Sequence, residues 1–286
     1  MKITAILVKS FTKNPKQGNP TGIILDAENL TDEQMLQIAK KLNFSESAFV
    51  QKSEKETYKN RFFAPEKEVA LCGHATLATF HVLVETGKLS FDKKEELIIT
   101  QETLAGILSV TGYKNGLIVM TQRDPEFFPE EKDRELITNL LGISIHDILN
   151  QPIQTVSTGT PKLIVPIISL EALMKIKPDL EGIKEYCKNN DAKGFYPYTS
   201  ETREQDSDFC ARQFNPLADI NEDPITGVAA GALGCYLKKY NLVKKNRFII
   251  EQGFNLNKAG KMIVDVTDGV KVGGYCVTYG KETLEI

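Results

Sequence analysis

The 286-residue sequence has little of what most cofactor and metal motifs are made from. It holds three histidines, His74, His81 and His146, and five cysteines, Cys72, Cys187, Cys210, Cys235 and Cys276. The cysteines are odd in number, widely spread and never in a CxxC pair, which argues against a disulfide framework and a thiolate zinc site. HExxH and DxDxDG patterns are missing, so no metal-ligand set can be pointed to and no metal is expected. The GxGxxG, Walker A and GxSxG patterns are missing too, which removes motif support for nucleotide binding and for a serine nucleophile. Charge of one sign is scarce: 35 basic against 38 acidic residues leave −3, and no Lys/Arg block interleaves with aromatics. No nucleic-acid partner is expected. Long apolar runs are also lacking. Ile3 to Val8 is too short for a signal segment, and nothing approaches the roughly 18 residues of a membrane span. The expectation is a cytoplasmic protein without membrane contact.

What is present reads as an ordinary globular chain, 41% apolar and 26% charged. Its length exceeds what one hydrophobic core usually supports. Two domains are expected, residues 1–122 and 123–269, divided near Arg123-Asp124-Pro125, with the strand segment of 270–286 a candidate to complete the first. Period-2 segments dominate, among them Ile3 to Val8, Ser45 to Gln51, Tyr58 to Phe63, Leu97 to Thr100, Ile107 to Val110 and Leu117 to Thr121. Asn115-Gly116 and Asp268-Gly269 are hairpin dipeptides, so much of the sheet should be antiparallel. Thr31-x-x-Gln34 is a capping-box signature ahead of Met35, Ile38, Ala39 and Leu42, which predicts a surface helix over 31–42 and a strand from Phe44. A helix is also expected over Glu130 to Leu141.

Two further helices, His74 to Glu85 and Gly227 to Tyr240, are rich in small residues and nearly apolar all round, the mark of helices buried inside a domain. They expose an internal repeat. Gly73, Ala75, Ala78 and Leu83 align with Gly227, Ala229, Ala232 and Leu237, and Arg61-x-Phe63-x-Pro65 precedes the first as Arg212-x-Phe214-x-Pro216 precedes the second. The helix glycines are 154 residues apart and the arginines 151, so the chain reads as two copies of one unit.

Two Gly-led helix starts in equivalent places suit an anion: their first N–H groups have no intrahelical acceptor, and a glycine lets a carboxylate approach the backbone. The plainer reading is that Gly73 and Gly227 allow tight helix–strand packing. Glu46 is the leading acid/base candidate. In a strand from Phe44 it shares a face with Phe44, Ala48 and Val50, and apolar surroundings suit a carboxyl that both takes and gives a proton. A capping box, Asn43-x-x-Glu46, is the structural alternative. The matching segment of the second half, Ser157-Thr158-Gly159, has no carboxylate. His74 projects from the same helix start, whereas His81 and His146 read as structural. Asp223, ahead of Pro224, reads as a helix cap, as a site residue, or as both. Cys72 at a helix start is a candidate thiolate, but with His74 only two residues away a nucleophile–base pair is not expected.

Gly18-Asn19-Pro20-Thr21-Gly22, Ser45-Glu46-Ser47, Arg61-Phe62-Phe63-Ala64-Pro65, Cys72-Gly73-His74-Ala75-Thr76, Ser157-Thr158-Gly159 and Glu222-Asp223-Pro224-Ile225-Thr226-Gly227 together resemble the phenazine-biosynthesis isomerase-like (PhzF-like) family. The resemblance implies the α+β diaminopimelate epimerase-like fold: two pseudo-symmetric lobes, each a curled, mainly antiparallel, barrel-like sheet around a buried helix. It implies a cofactor-independent isomerase that moves a proton between carbons of a small carboxylate-bearing amino or hydroxy acid. Glu46 would be the acid/base, His74 and Asp223 would assist, and Gly73, Gly227, Val228 and Asn19 would bind substrate. A homodimer is the implied assembly. Where the family often has Ser after the second glycine, this chain has Val228. Related epimerases use two cysteines, one before each helix glycine; here Cys72 occupies one such position and Thr226 the other, so a two-thiol mechanism is not expected. A non-catalytic, small-carboxylate-binding protein of the same fold is the alternative.

Overall fold

A computed structural model describes residues 1–218 and 220–286. In chain order the elements are β1 (Lys2–Ser10), β2 (Asn19–Ile24), α1 (Asp32–Leu42), β3 (Ser47–Gln51), β4 (Tyr58–Phe63), β5 (Glu68–Val69), α2 (Gly73–Glu85), β6 (Glu96–Thr103), β7 (Gly106–Tyr113) and β8 (Ile118–Thr121). There follow β9 (Glu126–Glu131), α3 (Arg134–Leu141), β10 (Ile153–Ser157), β11 (Lys162–Pro166), α4 (Leu170–Lys175), α5 (Leu180–Asn189), β12 (Phe195–Thr199), β13 (Phe209–Ala211), β14 (Gln213–Asn215) and β15 (Ile220–Asp223). The last are α6 (Gly227–Lys239), β16 (Arg247–Gln252), β17 (Gly260–Asp265), β18 (Lys271–Gly274) and β19 (Cys276–Glu285). Two compact units result, Met1–Thr121 with Gly273–Ile286, and Gln122–Val272. Among the described residues no helix is long and apolar enough to cross a membrane.

In the first unit the sheet runs β19-β1-β2-β3-β4-β6-β7-β8, with β5 hairpinned onto β4. Helix α2 packs on β1, β2, β3, β7, β8 and β19, strands from both ends of that order, so the sheet curls around it. The helix is less apolar than its composition predicts. Thr76 accepts from Gln101 Nε2 at 3.1 Å, and Thr79 accepts from Asn60 Nδ2 at the same distance, inside a buried polar network that β4 and β6 complete. The two hydroxyls are tolerated there because each is paired, although Asn60 Oδ1 finds no partner among the described residues. On the sheet's other side α1 buries Met35, Ile38, Ala39 and Leu42 against Phe49 and Phe63. The Thr31–Gln34 capping box forms with both of its bonds, and Asn43 ends the helix in the left-handed region at φ 50°.

That helix end explains one difference from expectation. Asn43 is the C-cap of α1 and not the start of a capping box, and the chain uses Phe44 to Glu46 to turn before β3 begins at Ser47. In the second unit, the helix expected from Glu130 starts at Arg134, capped by Asp133, and Glu126–Glu131 is strand β9.

The internal repeat is visible in strand order. Along β1-β2-β3-β4-β6-β7 the pairings run antiparallel, parallel, antiparallel, parallel, antiparallel. Along β10-β11-β12-β13-β16-β17 they run the same way. The two buried helices are each 13 residues long and each follow a short hairpin, β4–β5 or β14–β15. In this second unit α6 packs on β10, β11 and β17, and Gly234 lets Val264 and Phe248 reach the helix backbone.

Helix α2 leans on Gly112 of β7, where an added Cβ would lie 2.2 Å from the Phe80 ring. Phe80 is fully buried and cannot swing away. Gly112→Ala should therefore cost about 1–3 kcal/mol by overpacking. Adding Phe80→Leu should recover part of that loss, because the two sites are in contact. Urea unfolding of the single and double variants measures both effects, and strictly additive losses would show that the ring is not what Gly112 accommodates.

Candidate active site

In the first unit the structure brings Glu46, Cys72 and His74 together. Cys72 is the N-cap residue of α2, extended at φ −137° and ψ 116°, and makes no side-chain cap bond. This backbone turns its sulfur back onto the first helical turn, and Sγ lies 3.2 Å from His74 Nδ1. The short separation, a reason not to expect a nucleophile–base pair, does not keep thiol and imidazole out of contact, because it spans the bend into the helix. The other ring nitrogen, Nε2, lies 3.8 Å from Glu46 Oε2, beyond hydrogen-bond range. Burial pushes the His74 pKa below its ordinary value and outweighs the opposing pull of Glu46. The imidazole is thus neutral at neutral pH.

Glu46 is the residue immediately before β3, not a member of the strand, and its side chain is 23% exposed. The expected fully strand-borne, apolar setting is corrected to the mouth of a turn. Its carbonyl accepts from the Thr21 hydroxyl at 2.9 Å, which pins the backbone to β2. Among the described residues no hydrogen bond occupies its carboxylate. Asn19, at the start of β2, lies opposite Ser10 at the end of β1. Ser10, which sequence reasoning missed, donates its hydroxyl to the His74 carbonyl at 2.7 Å and so fixes the start of α2. At Gly73 an added Cβ would meet nothing within 4 Å, so tight packing does not explain that glycine.

The second unit holds Asp223, Gly227 and Val228. Thr226, not Asp223, is the N-cap residue of α6, again without a side-chain cap bond, and its hydroxyl donates to Asp223 Oδ2 at 2.5 Å. Thr158 donates to the Val228 carbonyl at 3.1 Å, and Gln122 Nε2 to the Gly227 carbonyl, also at 3.1 Å. Thr158 therefore does for α6 what Ser10 does for α2. This corrects the sequence alignment: Ser157-Thr158-Gly159 begins at the last residue of β10 and corresponds to the end of β1, whereas Gly194, just before β12, stands where Glu46 precedes β3. The second unit still has no carboxylate at that place. His81 is structural, with Nε2 3.2 Å from the Thr278 hydroxyl.

The Arg-x-Phe-x-Pro repeat acquires a physical meaning. Arg61 binds Glu68 with two bonds of 2.7 Å across the β4–β5 hairpin, and Arg212 binds Glu222 with bonds of 2.9 and 2.8 Å across β14–β15. Each guanidinium also lies about 5 Å from the Phe ring two residues on, at 5.1 Å and 4.9 Å. The two forks hold the segments that lead into the uncapped helix starts, and Glu222 adjoins Asp223.

The fold is that of the diaminopimelate epimerase-like proteins. At the level of fold it matches a hydroxyproline epimerase from Agrobacterium vitis crystallised with trans-4-hydroxy-L-proline, with TM-score 0.64, 11% identity and 99% of this chain and 92% of that chain covered. Residues 8–281 match the family described as phenazine biosynthesis-like protein, and the chain belongs to that family. It is 38% identical over 265 residues to the uncharacterized isomerase YfhB of Bacillus subtilis, covering 91% of this chain and 89% of that one. It superposes on the Bacillus anthracis phenazine biosynthesis protein of the PhzF family with TM-score 0.90, 32% identity and complete coverage of both chains. The chain is an isomerase of this family.

One charged residue near the second group was not anticipated. Lys162 is 1% exposed and, among the described residues, donates a single long bond, 3.4 Å, to the Lys193 carbonyl. Burial pulls its pKa down to about 8 from 10.5, against the opposing influence of Asp223 and then Cys187. Because the folded-state pKa is depressed, the unfolded chain binds the extra proton between about pH 8 and 10.5, and folding stability rises with pH across that window. Below it the ammonium is charged in both states and the burial penalty is fully present. Urea midpoints measured across this range should climb for wild type relative to Lys162→Met, and parallel curves would refute the desolvated lysine.

Proposed function

We propose that the chain is a cofactor-independent isomerase of a small amino or hydroxy acid, with Glu46 as the group that removes a proton from carbon and returns it. The observation that carries this reading is the Glu46 carboxylate itself: pinned through its backbone, unoccupied by hydrogen bonds among the described residues, and 3.8 Å from a buried imidazole at an uncapped helix start. Neutral His74 offers a hydrogen bond to the substrate without quenching the base as a fixed cation would. The N–H groups at Gly73 and His74 receive the substrate carboxylate, as the open space over Gly73 supports. Asn19, at the start of β2, is a further substrate-binding candidate of the first unit, and Asp223, Gly227 and Val228 are those of the second.

In D₂O, deuterium incorporation at carbon, read by mass spectrometry over a panel of amino, hydroxy and cyclohexadiene acids, tests the base. Glu46→Gln should lower exchange about 10²–10⁴-fold, and equal rates for every bound acid would remove Glu46 from the mechanism. A second measurement addresses selectivity. The Val228 side chain reaches toward Gly159, with 3.2 Å between its Cγ2 and a Cβ built there, and it supplies no donor. Val228→Ser should shift preference toward ligands with an added hydroxyl. Unchanged rank order of hydroxylated and deoxy analogues would show that residue 228 does not face the ligand.

A further inference from the structure

We infer that Glu46, Cys72 and His74 form a binding site for a thiophilic divalent transition-metal ion of the zinc class, and that occupancy of this site switches the enzyme off. One ligand atom from each residue lies within 4.8 Å of the other two. The Cys72 sulfur is 3.9 Å from His74 Nε2, and Nε2 is 3.8 Å from Glu46 Oε2. An ion with bonds of about 2.0 Å to nitrogen and oxygen and about 2.3 Å to sulfur needs those spacings to close by only a few tenths of an ångström. Side-chain rotation supplies this with the backbone in place. The donors are one sulfur, one imidazole nitrogen and one carboxylate oxygen, a set that suits zinc and cobalt and disfavours magnesium and calcium.

Protonation and charge agree with the geometry. Imidazole ligates through the lone pair of its neutral form. Binding releases the Cys72 thiol proton to solvent, and thiolate plus carboxylate then balance the dication in a place where Cys72 and His74 are buried. The remaining coordination position is left for water or an anionic ligand. No linear motif announces these ligands, because Glu46 comes from the turn before β3 while the other two come from the start of α2.

The switching-off rests on the reading of Glu46 as the base, since the ion takes the lone pairs that proton transfer uses; the binding does not rest on it. Cobalt(II) titrated into the purified chain in a non-thiol reductant should give a saturable thiolate-to-cobalt charge-transfer band, one ion per chain, displaced by zinc(II). Cys72→Ala should abolish the band although the other four cysteines remain. Glu46→Gln, at a part-exposed position, should keep the fold and weaken binding at least about tenfold. No band in wild type, or a band that survives Cys72→Ala, overturns the site. Zinc should also suppress deuterium exchange in wild type, with recovery on chelation. A cobalt band that depends on Cys72, together with exchange that zinc leaves untouched, would uphold the site and overturn the inhibition and the role of Glu46 as base.

Discussion

The structure is organised by a helix that starts without a cap. The first N–H groups of any helix lack intrahelical acceptors, and a capping side chain usually satisfies one of them. The surface helices follow that rule, with Thr31, Asp133 and Asp179 accepting from the first turns of α1, α3 and α5. Helices α2 and α6 break it: each follows a residue that makes no cap bond, and neither has an acid in its first turn. Such ends leave first-turn donors and a positive dipole end without a capping side chain. A helix start left open in this way must be fixed by other means, and in both units a hydroxyl from the end of the first repeat strand, Ser10 or Thr158, holds the carbonyl of the second helical residue. The Arg–Glu forks do the same for the preceding hairpins. Both are bidentate and part-buried, the Arg212–Glu222 fork more deeply than the Arg61–Glu68 one.

Duplication kept this frame and sorted the chemistry. Glu46 in the first unit corresponds to Gly194 in the second, Cys72 to Thr226, and His74 to Val228. The first unit therefore carries the imidazole, the thiol and a carboxylate that accepts no hydrogen bond among the described residues. In the second unit the Asp223 carboxylate accepts a bond from Thr226, and a buried ammonium at Lys162 senses its charge. Gly194 has its own reason to lack a side chain: an added Cβ would fall 2.6 Å from the Phe214 carbonyl oxygen. A second carboxylate could not have been kept there without moving the β14 backbone.

Much of the fold was legible because its signals are local. The capping box at Thr31, the buried helices α2 and α6, the strands such as β4 and the doubled Arg-x-Phe-x-Pro pattern follow from spacing alone. The family motifs gave the fold class. The misplacements share a cause, which is that an element's end depends on what it meets. Glu46 was read into a strand because period 2 continues through it, yet the left-handed Asn43 forces a turn there. The Glu126–Glu131 strand lay hidden under a helical pattern until β10 supplied its partner. Lys162, Ser10 and Gln122 had no sequence signal, since a buried lysine or an anchoring hydroxyl is defined by neighbours distant in the chain. The contact of Cys72 with His74 was missed because sequence distance was treated as a geometric obstacle at the one place where the backbone bends.

Burial of His74 is the step that joins packing to chemistry. An exposed imidazole beside a carboxylate gains a proton more easily and settles into an ion pair, which would hold Glu46 in one orientation and occupy the oxygen it needs. At 8% exposure, desolvation outweighs that attraction and the ring stays neutral. The 3.8 Å gap to Glu46 is then not a failed salt bridge but the spacing expected of two groups that are not pulled together. The ring is held from behind instead, by the thiol at 3.2 Å and by the backbone bond that Ser10 makes to the same residue. The packing that buries the imidazole thus leaves the Glu46 carboxylate without an ion-pair partner drawn into hydrogen-bond range among the described residues.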